Sequence, residues 1–494
     1  KLDWSSIEPS IFGTLFERDL DPSKRAQLGA HYTDAGSILR IVNPVIKEPL
    51  LDEWAASRAA IKASLEKADK AKAPATRTKA RKEAEQTLQG FMHRLGEYRV
   101  LDPACGSGNF LYLALQTLKD IEHRAALEAE ELGMPRGFTG MNTGVQNVHG
   151  IELNAYAAEL ARLTVWIGEI QWMLRHGVQP TKNPILQPLQ TIECRDAVLN
   201  DDGTEPEWPT VDAIIGNPPF LGGKMMRDGL GHEDTEALRK RYAGRVPGGA
   251  DLVTYWFAKA RAAISDGTAK VADLVATNSI RRGRNRKVLD RVVQSGQIFD
   301  AWSDENSINE GAAVRVSIVC FGGVARGRTT RLNGAPVDRV FPDLTAREPG
   351  GNGVDHSVAR ALRENANTAY LGIQKTGPFE IPGEVARRWL QQPNAHGLPN
   401  SNVVRPWWNG LDVTRRNRDL RPESWSALNV SFSANCPLEE GGVCREEEPV
   451  FGRADRGGAQ AGGDGHAGRG PDASVGHLGA DVLPLEEALQ RAAA

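Results

Sequence analysis

Residues 217–220 read Asn-Pro-Pro-Phe, directly behind the apolar run VDAIIG at 211–216. Two prolines remove two backbone donors, so strand pairing must end there. The Asn217 side-chain oxygen and the Pro218 carbonyl could both accept from one NH2 group. An exocyclic amine held in that way has its lone pair drawn out of conjugation and is prepared to attack a methyl group. Pro218 and Pro219 stiffen the backbone that aims the carbonyl. Phe220 offers a face on which a base swung out of its duplex can stack. Such a transfer requires no cysteine nucleophile, and none is nearby. The plainer alternative is a strand stopped by prolines; the neighbouring motifs weigh against it.

Those motifs sit at three further places. In LDPACGSGNFL, residues 101–111, an apolar segment ends in Asp102, small residues turn the chain, and a helix starts near Asn109. Ala104, Gly106 and Gly108 keep that turn small enough for a ligand to approach the backbone, where the helix N-terminus offers free N–H groups. Position 111 is Leu, so the stretch is not the dinucleotide fingerprint GxGxxG. An acid followed by GxG suits a ligand with an ammonium group and no pyrophosphate, such as the methionine end of S-adenosylmethionine. Glu152, in HGIELN at 149–154, is placed to accept from both ribose hydroxyls of a nucleoside. A carboxylate favoured by a helix N-terminus is the competing explanation; the Gly-rich turn one helix earlier favours the ligand. Asp196, in ECRDAV at 193–198, could accept from an adenine amino group, though taken singly it is equally an ordinary turn acid.

These side chains need strand tips to stand on. Strands are predicted at 98–102, 147–153, 190–194, 211–216, 270–277, 297–302 and 313–321, with apolar helices between most of them. That rhythm predicts an α/β fold: a doubly wound, seven-stranded, Rossmann-like sheet. No long helix separates the last two strands, so the final one is expected to fold back antiparallel. Ahead of the sheet, residues 1–50 form an N-terminal helical segment, where Thr33 or Asp34 could cap a helix. Residues 51–97 are rich in Lys, Ala and Glu and predict two charged helices broken near Pro74. Residues 98–325 make the catalytic domain. From 326 to 425 the rhythm fails, among turns and aromatic phrases such as RPWWNG at 405–410. From 426 to 494 glycine is dense and apolar periodicity absent, so that stretch is expected to stay unfolded.

Composition narrows the partners. The five cysteines are scattered without metal-ligand spacing, which predicts neither a disulfide framework nor a zinc site and fits a reducing cytoplasm. No apolar run approaches the ~20 residues of a membrane span. The net charge of −3 is uneven: residues 421–494 hold twelve acids and six bases, leaving 54 bases against 51 acids ahead of them. Basic clusters at 239–241 (RKR), 281–287 (RRGRNRK) and 415–418 (RRNR) form a plausible phosphate footprint.

In their order, QLGAHYT, LDPACGSGNFL, GIELN, RDA and GNPPF resemble the gamma arrangement of the amino-methyltransferases that act on DNA bases. The wider phrases GTLFERDLDPSKRAQLGAHYT, IIGNPPFLGGK, GAAVRVSIVCFGG and RPWWNG resemble the methyltransferase part of type IIL restriction–modification enzymes. The resemblance covers about residues 4–420 and implies S-adenosylmethionine as donor and N6 of adenine in double-stranded DNA as acceptor. It implies that Tyr32 and Thr33 lie beside the donor's methionine moiety, that Asp102 faces its amino group, Glu152 its ribose and Asp196 its adenine. It also implies that the region after Phe321 begins a target-reading domain. The sulfonium is already a good leaving group, so no metal is needed. Two departures carry expectations of their own. The nuclease of the type IIL pattern would end before Lys1, so cleavage is not expected from these residues and a separate or upstream nuclease module is. Resemblance stops near 419–422, as a reading-frame shift after about 420 would produce. The alternatives are N4-cytosine methylation, which the same amide geometry serves, and a truncated pseudoenzyme that binds cofactor without recognising DNA. Methylation of a protein glutamine fits less well, because the basic and aromatic extension is long.

Overall fold

The structure is a computed structural model; it describes residues 35–134, 142–178, 189–309, 312–324, 329–347, 355, 359, 380–392, 399–402, 404–406 and 424–427. Four short segments form one side of its main sheet: Val100–Asp102 (β1), Val148–Glu152 (β2) and Ala213–Gly216 (β4), largely buried, and Ile192–Cys194 (β3) at the edge. Val271–Thr277 (β5) extends it, and all five run parallel in the order β3-β2-β1-β4-β5. Strands covered on both faces read as near-continuous apolar runs, which is how VDAIIG and KVADLVAT read.

Alternate residues of those strands enter two separate cores. Val100, Ala213, Ile215 and Val271 join one; Leu101, Ile214, Ala272 and Leu274 join the other. The first is closed by Ala35–Val42 (α1), the helical hairpin Glu48–Lys70 (α2) and Pro74–Gly96 (α3), Asn109–Glu131 (α4), and Ala155–Arg175 (α5). Pro74 stands at the first position of α3, where its missing N–H breaks no helical bond. The hairpin's inner face is part of the core: Trp54 packs on Phe91 with ring centroids 5.1 Å apart and donates Nε1–H to Glu128 of α4 at 2.8 Å. The second core is closed by Met226–Leu230 (α6), His232–Arg241 (α7), Val253–Ser265 (α8) and Gly283–Ser295 (α9).

Beyond β5 the sheet departs from the expected count. Ala312–Gly322 (β7) lies between β5 and Gln297–Asn309 (β6), antiparallel to both. Two more strands, Thr330–Leu332 (β8) and Ala335–Val337 (β9), follow β6 at the edge, so that the described residues form nine strands rather than seven. They are three residues each and half-exposed, so no apolar alternation announced them. A two-stranded ribbon, Arg339–Val340 (β10) with Ala346–Arg347 (β11), follows.

The chain divides into two compact units, residues 1–360 and 361–494. In the second, Glu380–Pro382 (β12), Val404–Pro406 (β13) and Ser424–Ala427 (β14) form a small antiparallel sheet with β14 in the middle, beside helix Gly383–Gln391 (α10). The basic cluster 415–418, Trp407 and Trp408, and the glycine-rich stretch from 428 onward lie outside the described residues. Among the described residues, no helix is long and apolar enough to cross a membrane.

Candidate active site

The carboxyl ends of β1, β2 and β4 bring the chemistry-bearing residues together, as open parallel sheets place their ligand sites. Asp102 closes β1 and is fully buried. Its Oδ1 accepts from the Ala104 N–H at 3.1 Å, while its Oδ2 is buried and bonded to nothing among the described residues. Burial pushes its pKa up to about 8, the Ala104 N–H pulls it down, and the nearby Glu152 adds to the rise. An acid in that state is matched to a cation that would enter and take up its unused oxygen.

Gly216, at the end of β4, explains why Asp102 fits where it does. A Cβ on Gly216 would stand 2.5 Å from Asp102 Oδ1, and the residue has φ +154°. The carboxyl therefore lies against the residue immediately before Asn217, and only glycine leaves room for it. In the sequence Gly216 reads only as a strand end. A glycine between a buried strand and an Asn-Pro-Pro run was the available signal.

The turn after Asp102 uses its glycines differently. Gly106, at φ +51°, has nothing within 4 Å of where a Cβ would stand, so its open side can admit a ligand. Gly108, at φ +86°, would put a Cβ 2.9 Å from the Ala161 Cα of α5. Its requirement is close helix packing at the start of α4. Ala104 is half-buried in the same turn.

Glu152 ends β2 and ties that turn to the sheet. Its Oε2 accepts from the Gly106 N–H at 2.9 Å and its Oε1 from the Asn154 N–H at 2.8 Å. Burial raises its pKa, and those backbone donors oppose the rise. Each oxygen keeps lone-pair capacity for one more donor, which suits a pair of hydroxyls. Asn154 caps α5 by accepting from the Ala157 N–H at 3.0 Å. Asp196, after β3, accepts from the Val198 and Leu199 N–H groups through Oδ1 at 2.7 and 3.0 Å, as a turn-forming acid does. Tyr32 and Thr33 lie outside the described residues.

Asn217, Pro218, Pro219 and Phe220 continue from Gly216. The Asn217 side-chain oxygen and Pro218 are buried, while Pro219 is half-buried. Phe220 packs against both cores while remaining partly exposed. Helix α8 braces both halves of the site. Trp256 donates Nε1–H to the Pro103 carbonyl at 3.0 Å, and the Leu252 N–H donates to the Leu221 carbonyl at 2.8 Å. Asp251, just before α8, accepts from the Gly223 N–H at 3.0 Å and, through its other oxygen, from Ser279 and Asn285 at 2.6 Å each. None of these braces was foreseen, because partners up to 153 residues apart share no local pattern.

The sequence profile described as "MmeI, DNA-methyltransferase domain" matches residues 77–332, more than half of the chain and all of β1 to β8. The chain belongs to this MmeI-type DNA-methyltransferase domain family. It is similar to DNA methyltransferase A of Bacillus subtilis (strain 168), with 28% identity over 341 residues, covering 65% of this chain and 34% of that one. A 90-residue stretch is 34% identical to the putative type II restriction enzyme and methyltransferase RM.MjaORFECS2P of Methanocaldococcus jannaschii, 18% of this chain and 8% of that one. Among solved structures, the type IIL restriction–modification enzyme MmeI in complex with DNA superposes with a TM-score of 0.60 at 23% identity, over 86% of this chain and 54% of that one. The MmeI-type chain described here thus spans about a third of the curated relative it matches over 341 residues and about half of the solved one.

Proposed function

We propose that the chain transfers the methyl group of S-adenosylmethionine to N6 of an adenine rotated out of duplex DNA, in a restriction–modification or phage-defence setting. The observation that carries this is the contact between Asp102 and Gly216. It puts a buried carboxyl with an unused oxygen one residue from Asn217, on the neighbouring strand. A cation-binding acid and an amide acceptor side by side are what a transfer from a cationic donor to an amine needs. Membership of the MmeI-type family supports the same reading.

When bound, S-adenosylmethionine supplies a methyl group on a sulfonium centre. The roles of this chain's residues follow from their chemistry. Asp102 Oδ2 would take the donor's ammonium, Glu152 its ribose hydroxyls and Asp196 its adenine amine, with Gly106 leaving the turn open. The Asn217 side-chain oxygen and the Pro218 carbonyl would accept from the two hydrogens of the target amine. Neither Pro218 nor Pro219 carries an N–H that could compete for those acceptors. Phe220 would stack on the extruded base, offsetting part of the cost of unstacking it.

The test is transfer of labelled methyl groups to mixed-sequence DNA, followed by digestion to nucleosides. Label in N6-methyladenosine is expected. Label in N4-methylcytidine would move the reading to cytosine, and none would leave a cofactor-binding protein that does not use DNA. Asn217→Ala is expected to lower transfer by about 100-fold or more, the scale on which positioned proton-accepting groups act, with donor affinity nearly unchanged. A loss of donor affinity instead would place Asn217 in a different role.

A further inference from the structure

Two basic clusters forty residues apart in sequence meet beside the Asn-Pro-Pro-Phe loop. Arg239, from 239–241, and Arg284, from 281–287, line one cavity of about 870 Å³ together with Lys224 and Arg227. Lys224 stands four residues after Phe220. Among the described residues, the cavity's only lining carboxylate is Asp251, and both its oxygens are taken by Gly223, Ser279 and Asn285. Glu236 is shared between Arg227 and Arg239, at 2.8 and 3.0 Å. Among the described residues, Lys224 and Arg284 have no carboxylate partner, and Arg239 Nε is buried without an acceptor. Four cations against two engaged carboxylates, Asp251 and Glu236, is a local excess that the chain's net charge of −3 conceals.

The backbone around the cavity is built to hold these heads in place. Arg239 Nη2 donates to the Gly223 carbonyl at 3.2 Å, and Arg284 Nη1 donates to the Gly248 carbonyl at 2.9 Å. A Cβ on Gly223 would stand 2.3 Å from the Gly249 carbonyl oxygen, and one on Gly249 would stand 2.6 Å from Arg284 Nη1. Glycine at both positions lets the loop from the acceptor motif, the 248–249 turn and the Arg284 guanidinium close on one another. Guanidinium groups held in this way, with the Lys224 ammonium beside them, suit phosphate oxygens. The volume far exceeds the ~30 Å³ share of a single water, so more than one phosphate group has room.

We propose that this cavity is a phosphodiester subsite that grips the backbone of the acceptor DNA strand beside the target nucleotide. It rests on the DNA-methylation reading above and adds the surface that would hold the strand while the base is out of its stack. The four cations carry no sequence information there; they fix register and orientation.

The experiment measures binding of the full chain to a labelled mixed-sequence duplex as salt is raised, for the wild type and for K224A/R284A. K62A/K79A, on exposed lysines of the α2–α3 hairpin, serves as the charge-matched control. Each phosphate contact contributes about 0.9 to the slope of log K against log salt. K224A/R284A is therefore expected to flatten the slope by about two and to weaken binding at least about tenfold near 0.1 M salt. Affinity for S-adenosylhomocysteine should stay at the wild-type value, which also reports that the variant is folded, and K224R/R284K should restore most of the slope. A slope in K224A/R284A equal to that of the control would overturn the subsite and leave the DNA-methylation reading intact. Absence of salt-dependent duplex binding in the wild type, with donor affinity present, would overturn both. Tight inorganic phosphate binding that the variant loses without any change in duplex binding would identify a free-anion site and overturn the strand assignment.

Discussion

Asp102 is the residue whose protonation should be read out by its ligand. Burial keeps its carboxyl up to about 8, so below neutral pH it is mostly protonated while its Oδ2 waits unbonded. A cation arriving at that oxygen favours the ionised form, and the proton must leave. The sign is fixed: affinity for an amine-bearing ligand should rise with pH toward about 8 and fall above it as the ligand's own ammonium loses its charge. A peptide's α-amine titrates at ~7.7–8.0, so the range in which the ligand's ammonium stays charged and Asp102 protonated lies between about pH 5.5 and 7. Calorimetry of S-adenosylhomocysteine binding in buffers of differing ionisation heat should show about one proton released per ligand bound in that range. Asp102→Asn should release none and bind about tenfold or more weakly, the loss of a charge-assisted hydrogen bond. Proton release persisting in Asp102→Asn would move the titrating group elsewhere, with Glu152 the next candidate.

At the level of elements, the turn between β1 and α4 separates two uses of glycine that look alike in the sequence. Gly106 faces open space, whereas Gly108 faces the backbone of α5. Gly106→Ala should therefore cost about 1–2 kcal/mol, the penalty for a left-handed non-glycine residue, and should lower donor affinity. Gly108→Ala adds an overpacking cost of about 1–3 kcal/mol to the same backbone penalty, so it should lower the melting temperature more. Equal thermal losses from the two would sink the distinction. The same contrast marks what the sequence could disclose. The motifs at the tips of β1, β2 and β4, and the strands carrying them, were legible because an apolar run, a small-residue turn and an acid are local patterns. The sequence pattern predicts β6 only to Trp302, although it continues to Asn309, because SDENSIN offers no apolar alternation. The bracing by α8 was invisible, since Trp256 meets Pro103, and Asp251 meets Ser279 and Asn285, only through the fold.

Across the whole molecule, one polar row runs from the sheet interior to the helical hairpin. Asp273 on β5 lies in register with Cys320 on β7, and Cys320 with Asp300 on β6. Asp300 accepts from Arg331 of β8 at 3.0 Å, and Arg331 is also paired with Glu48 of α2. This row joins the late edge strands to the first core, so its charge state bears on the stability of the unit rather than on one loop. Burial holds the Asp273 carboxyl well above the ordinary carboxylate range, with Asp300 adding to the rise and the Cys320 thiol opposing it. A folded pKa above the unfolded value near 3.8 means the folded chain binds more protons above that pH. The stabilisation is thus complete below about 3.8 and is lost as pH climbs toward the folded pKa. Within that window the group contributes a fall of up to about 1.4 kcal/mol per pH unit. Asp273→Asn keeps the shape and removes the proton, so its urea-unfolding stability should decline less steeply with rising pH than that of the wild type. Asp102 titrates with the same sign in both proteins, so it cancels in the difference. Parallel stability profiles from pH 4 to 7 would show that Asp273 is not the group responsible. A variant that flattens the profile would place that proton on Asp273, in the middle of the sheet.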